Sequence, residues 1–383
     1  MRESALVLLL SVGGLGLLGS GCSKVSFNSL PPEACSALNS SHGTSACTAG
    51  PQGTENYKYT VATGSVDLLF IDDNSGSMYT EQAKMATQFP DFLDTISRLS
   101  YHIAITSTDV SNGGLGQDGR FFLFGNGGNV LSNSSRQKDS THQQNISLFQ
   151  NTIKRSETLT CPNGPACPSG DERGIYAAVR ALQRVENRDF FRADAHLAIV
   201  ILSDEDERSS GGGAPGSEVN GGAISPDYRA TSNDLPETLV AVAKEVLPPT
   251  ESFSVHSIII RPGDTVCHTA QNSQGGGVKG FYGTQYARLS QAASSLMNLG
   301  PLKPGTLGNI CSSNYTAEMG QIAQYLMTSV IQLPCRPIDG TLRVTYMDSV
   351  AANQTEFVNA NDQLQFSPAL AAGSRVQLEF SCQ

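Results

Sequence analysis

Tryptophan is absent from the 383 residues, and aromatic side chains make up only 7% of them. Charge is scarce as well, with Asp, Glu, Lys and Arg together at 16%. Basic residues number 25 against 35 acidic ones, a net charge of −10. So few cations leave no electrostatic footprint for nucleic acid, which excludes that partner class. Low charge beside 39% hydrophobic residues also excludes a disordered chain. Common enzyme signatures are missing: there is no G-x-S-x-G elbow, no H-E-x-x-H pair and no Walker loop. The histidines are scattered, and His102, His196 and His256 fall in or beside predicted core strands.

Long hydrophobic runs are also lacking. The run from Leu6 to Leu18 is too short for a comfortable membrane span. It follows Arg2 and precedes Gly19-Ser20-Gly21, which is a secretory signal pattern. Cys22 comes next. The arrangement resembles a bacterial lipoprotein signal, although Gly19 stands where such signals carry a leucine. The resemblance implies that residues 1–21 are removed and that Cys22 is lipidated. Ser23 resembles the residue found there in outer-membrane lipoproteins. The location expected is therefore the cell envelope, with the chain held to a membrane by lipid, at the outer membrane or cell surface.

Of the nine cysteines, reserving Cys22 leaves eight, an even number that suits an oxidising compartment. Eight cysteines allow about 105 pairings. Nearest-neighbour pairing gives Cys35–Cys47, Cys161–Cys167, Cys267–Cys311 and Cys335–Cys382. Pro162, Gly164, Pro165 and Pro168 make a tight stapled loop the better reading of Cys161–Cys167 than a metal or redox pair.

The organisation reads as four segments. Residues 1–21 are the signal and 22–62 a Ser-, Pro- and Gly-rich tether. Residues 63–334 form the main domain and 335–383 a small β unit stapled by Cys335–Cys382. In the main domain, near-continuous apolar strands are predicted at Val66–Ile71, His102–Ser107, His196–Leu202 and Phe253–Ile260. Helical spacing marks Tyr79–Leu99 (interrupted by Pro90), Glu172–Glu186, the stretch around Leu235–Val246, Tyr286–Met297 and Ala317–Val330. Alternating buried strands and amphipathic helices predict an α/β fold with a doubly wound, mostly parallel sheet. Long polar insertions are expected at Ser111–Gly170, Glu205–Asn233 and Gly263–Thr284. After Pro334 the period becomes two: Leu342, Val344 and Tyr346, then Leu364 and Phe366, then Val376, Leu378 and Phe380 predict antiparallel strands.

The first strand runs into Asp73-Asn74-Ser75-Gly76-Ser77-Met78. Asp73, Ser75 and Ser77 offer a carboxylate and two hydroxyls, and Gly76 allows a tight bend. Oxygen donors suit Mg²⁺, Mn²⁺ or Ca²⁺, not zinc. Strand carboxyl ends are also where open α/β sheets bind ligands. An EF-hand is excluded because Ser77 occupies the position that requires glycine. The pattern resembles the von Willebrand factor A family over roughly residues 63–333, with D-x-S-x-S after the first strand. The resemblance implies two more ligands from later loops. The later Asp falls at Asp204. At the family's Thr position stands Glu172, a departure that adds negative charge. Asp72, Asp206 and Glu207 read as solvated or outlying acids, not ligands.

Three functions follow. The first is a divalent-metal-dependent adhesion module whose protein ligand offers an acidic group to the ion. The alternative is a metal-independent structural or assembly component of an envelope complex. A metal-assisted enzyme ranks last, since the fold hosts many functions and cannot choose among them.

Overall fold

The computed structural model describes residues 46–63, 65–97, 99–111, 116–133, 140–160, 171–192, 195–209, 230–247, 253–273, 280–327, 330–347, 354–358, 362–367 and 374–383. The expected signal, lipid site Cys22 and cysteines Cys35, Cys161 and Cys167 lie outside the described residues. In chain order the strands are β1 (Cys47–Ala49), β2 (Glu55–Thr63), β3 (Ser65–Asp72), β4 (Ser100–Ser107), β5 (Leu131–Ser132), β6 (His196–Leu202), β7 (Phe253–Ile259), β8 (Leu302–Lys303), β9 (Leu307–Asn309), β10 (Val330–Gln332), β11 (Arg343–Tyr346), β12 (Thr355–Val358), β13 (Gln363–Ser367) and β14 (Ser374–Cys382). The helices are α1 (Tyr79–Ile96), α2 (Ser140–Ile153), α3 (Ser156–Thr160), α4 (Gly174–Gln183), α5 (Pro236–Val246), α6 (Thr265–Ser273), α7 (Thr284–Ser290), α8 (Ser294–Met297) and α9 (Thr316–Met327).

The main domain is the predicted doubly wound α/β sheet. Its strand order is β5-β4-β3-β6-β7-β8, with β9 also paired to β7. β3, β4, β6 and β7 run parallel, and β5 is an antiparallel edge. β3 is buried along its whole length, as its apolar run requires. One face packs Phe70, Phe89, Phe92 and Phe149 with α1, α2 and α9. The other packs Leu69, Ile71, Ile199 and Ile201 with α4, α5 and α7. From β3 the chain crosses to β4 on one side and later to β6 on the other. The strand order therefore reverses at β3, and the loops after β3 and β6 leave toward opposite faces. That is the crevice where such sheets bind ligands.

The insertion Ser111–Gly170 is more structured than its polar composition suggests. It contains β5, α2 and α3. Ile146, Phe149 and Ile153 have helical spacing and are buried, and Phe149 stacks on Phe89 with ring centroids 3.5 Å apart. Pro90 neither splits nor ends α1. A proline cannot donate to the carbonyl four residues back. Here the Gln150 amide of α2 donates to the Ala86 carbonyl instead, at 2.8 Å. The last predicted helix stops at Met327, and Val330 belongs to a strand.

The β unit corrects the expected tether. Residues 55–63 form β2, which pairs antiparallel with β14 over its length. Tyr57 and Tyr59 point inward while Lys58 and Thr60 point out, and Tyr57 stacks on Phe380 at 5.0 Å. Tyrosines at alternate positions are an amphipathic strand that a search for aliphatic periodicity passes over. One small sheet runs β1-β2-β14-β11 and a second runs β10-β13-β12. They share a core of Tyr57, Tyr59, Ile331, Leu364, Phe366, Val376, Leu378 and Phe380. The unit is thus built from both flanks of the α/β domain. Cys335 and Cys382 are bonded, as are Cys267 and Cys311. Cys47 is also in a disulfide. Replacing Cys335 and Cys382 together by alanine should cost about 2–5 kcal/mol. The loss should appear in denaturant unfolding of the β unit, with the α/β transition unmoved.

Candidate functional site

The first loop begins where β3 ends. The Asp73 N–H donates to the Leu202 carbonyl at 3.0 Å, carrying the β3–β6 ladder one residue further. Asp73 is fully buried. Its Oδ1 accepts the Ser75 N–H at 2.8 Å, which tightens the turn toward α1. Its Oδ2 accepts the Ser203 hydroxyl at 2.7 Å. Ser75 and Ser77 share a hydroxyl contact at 3.0 Å, and Ser77 donates to Asp204 Oδ1 at 3.1 Å. Asp73, Ser75, Ser77 and Asp204 therefore meet at the switch point, on loops from adjacent strands. Ser203 joins them, although no motif singles it out. Gly76 and Tyr79 are exposed, while Ser75 and Ser77 are half-buried, so the opening lies on the first loop.

Two buried carboxylates in one cluster perturb each other. Burial raises the Asp204 carboxyl well above the usual range, and the neighbouring charges of Asp73 and Glu205 add to it. Burial likewise raises Asp73, partly offset by the Ser203 and Ser75 hydrogen bonds. Asp72, also buried, is pushed up by desolvation first and by Asp73 second. Glu81 of α1, at 2% exposure, contributes negative charge to both Asp73 and Asp204. An acid pair of this kind keeps a proton unless a donor network or a cation offsets its charge.

The donor chemistry fits a hard cation, being all oxygen. The buried Asp72 Oδ1 and Asn74 Oδ1 beside the turn also accept no hydrogen bond. Glu172 is fully buried too. Among the described residues, however, no group of three or more His, Cys, Asp or Glu side chains is arranged to hold a metal. Hydrogen bonds join four of the five expected ligands, Asp73, Ser75, Ser77 and Asp204. What converges is two carboxylates and hydroxyls.

Nor are the acids after Asp204 solvated. Asp206 and Glu207 are fully buried. Asp206 accepts the Gln285 N–H at 3.0 Å, at the start of α7. Glu207 accepts the N–H groups of Ile175 and Tyr176 at 2.7 and 3.1 Å, in the first turn of α4. These first-turn donors have no intrahelical partner, and a carboxylate there also faces the positive end of the helix dipole. Asp206 and Glu207 thus fasten the second loop to two helices. Sequence alone shows only a cluster of negative charge.

No family model matches the chain, and no curated protein matches it. Solved structures resemble it weakly. The pilus adhesin SpaC of Lactobacillus rhamnosus GG gives a TM-score of 0.36 at 12% identity, over 88% of this chain and 41% of that one. A von Willebrand factor type A structure from Catenulispora acidiphila gives 0.36 at 14%, over 86% and 59%. The manganese-loaded Plasmodium vivax TRAP protein gives 0.31 at 12%, over 78% and 94%. The chain spans only 41% and 59% of the first two. Likenesses this weak assign neither a family nor an activity.

The buried acids set a pH dependence. Burial pushes Asp206 up to about 7 and Asp171 up to about 6. Both hold a proton more tightly folded than unfolded. Their contribution is fully present below about pH 4, where the unfolded chain is protonated as well, and is lost as pH rises through about 6 to 7. Thermal melts in chelator should show falling stability over that window. Asp206→Asn should flatten the slope.

Proposed function

We propose that this chain is a non-catalytic protein-binding module whose contact face is the carboxyl edge of the α/β sheet. One observation supports this above others: two loops from adjacent strands bring Asp73, Asp204 and the hydroxyls of Ser75, Ser77 and Ser203 into one cluster at the switch point, with Gly76 and Tyr79 exposed at its mouth. The cluster is closed by its own hydrogen bonds, and among the described residues no group of three or more His, Cys, Asp or Glu side chains is arranged to hold a metal. Both features support contact that needs no ion, and so an assembly role in an envelope complex.

A finer reading has a specific observation in its favour. Asp73 and Asp204 are desolvated, adjacent and costly to ionise together. A divalent cation such as Mg²⁺, Mn²⁺ or Ca²⁺ relieves that cost. Asp73, Ser75, Ser77 and Asp204 would hold it, and it would supply a positive centre for an acidic group of a protein partner. Lipidation at Cys22 and display at the cell envelope belong to the same proposal and rest on the signal pattern alone. Among the described residues no helix is long and apolar enough to cross a membrane.

Gly76 tests the contact face. A Cβ added there meets only the Thr158 carbonyl, at 4.0 Å. Gly76→Lys should therefore leave the melting temperature unchanged and weaken partner capture about tenfold, the effect of losing roughly 1.4 kcal/mol of contact. Capture unaffected by Gly76→Lys places the contact face elsewhere. Chelation then separates the two forms. Capture that survives it supports the assembly reading. Capture that fails in chelator and in Asp73→Ala supports the cation. Calorimetry of the purified protein with each of the three ions should agree.

A further inference from the structure

Gln82 lies on α1, fully buried, in the turn that follows Met78. Its amide is shared among three segments. Nε2 donates to Asp72 Oδ2 at 3.1 Å, to the Asp73 carbonyl at 3.0 Å and to Thr158 Oγ1 at 3.3 Å. Oε1 accepts the Arg155 N–H at 3.0 Å. Thr158 in turn donates to the Asn74 carbonyl at 3.4 Å. One amide therefore joins the end of β3, the first loop and α3 of the insertion. The Arg155 guanidinium lies over the Phe122 ring at 3.6 Å and pairs with Glu157 at 2.7 Å, so the far side of this joint is anchored too.

The amide is chemically specific at this place. Asp72 already has one buried oxygen without a donor. Removing Nε2 would strip the other oxygen and free the Asp73 carbonyl, and a buried acceptor left bare is destabilising. Packing alone would be met by leucine or methionine, as at the neighbouring buried Met78 and Met85.

We propose that Gln82 is a positioning residue for the carboxyl-edge site, setting the Asp73–Met78 turn against β6 and coupling it to α3. The inference rests on the contact-face reading above. It makes α3, with exposed Ser156 and half-buried Glu157, a second part of the contact face. A partner pressing on α3 would act on the Asp73 turn through the Gln82 amide and the Thr158 hydroxyl.

Hydrogen exchange on the full protein tests the joint without needing a ligand. Gln82→Met keeps length and removes both donor and acceptor. Gln82→Glu keeps the acceptor for Arg155 and removes the donor. Amides of residues 73–78 should exchange about tenfold faster in both, as expected for about one lost buried hydrogen bond, and the Arg155 amide faster in Gln82→Met than in Gln82→Glu, while β4 and β7 keep the parent's protection. Adding Asp72→Asn to Gln82→Glu lets the new amide donate to the new carboxylate, and should return part of the protection. Mn²⁺ titration of the same samples separates this idea from the cation reading. If the parent takes up no Mn²⁺, the cation reading fails and exchange alone decides Gln82. If the parent binds, both variants should bind about tenfold more weakly. Unchanged exchange at 73–78, or acceleration spread evenly over the sheet, would overturn the proposal.

Discussion

The structure depends on keeping carboxylates dry at one edge of a parallel sheet. Parallel strands covered on both faces put their carboxyl ends together, and here those ends carry Asp72, Asp73, Asp204, Asp206 and Glu207, all buried. An isolated buried carboxylate is expensive. The fold offsets that cost in two ways. Backbone donors at the starts of α4 and α7 take up Glu207 and Asp206. Hydroxyls and one glutamine amide take up Asp73, Asp204 and Asp72. The first set fastens the loop. The second leaves an acid pair whose charge state answers to a proton, a cation or a partner.

How much of this was legible depended on whether a residue's role follows from its neighbours in sequence. β3 and β6 were legible because a strand buried on both faces has no choice but a continuous apolar run. Asp73 and Asp204 were legible because each stands directly after such a run. Ser203 was not, since a serine at a strand end is common and its partner lies 130 residues away. Gln82 sits in an amphipathic helix where a buried polar residue breaks the pattern without announcing a purpose. Asp206 and Glu207 read only as solvated or outlying acids because their partners are backbone N–H groups, which no side-chain pattern encodes. Glu172 aligned with a ligand position from its place just before α4, and it is buried there.

The β unit shows the same limit on a larger scale. Its strands after Pro334 alternate visibly. β2 lies before the α/β domain, more than 300 residues from its partner β14 in sequence, and its inward residues are tyrosines. Local pattern gave no reason to pair the two. Sheet closure did: β14 is a long strand with β11 on one side, and β2 covers its other edge. The α/β domain is in consequence flanked at both ends by one shared core, and the Cys335–Cys382 bond ties the exit from the domain to the last strand.

The central claim is that Asp73 and Asp204 form one desolvated, mutually dependent pair at the carboxyl edge. Carboxyl-carbon NMR of selectively labelled aspartates, followed against pH in chelator, tests it most directly. Both groups should titrate above the ordinary carboxylate range, and Asp73→Asn should move Asp204 back toward that range. Two carboxyls that titrate in the ordinary range, with Asp204 indifferent to Asp73→Asn, would contradict the account.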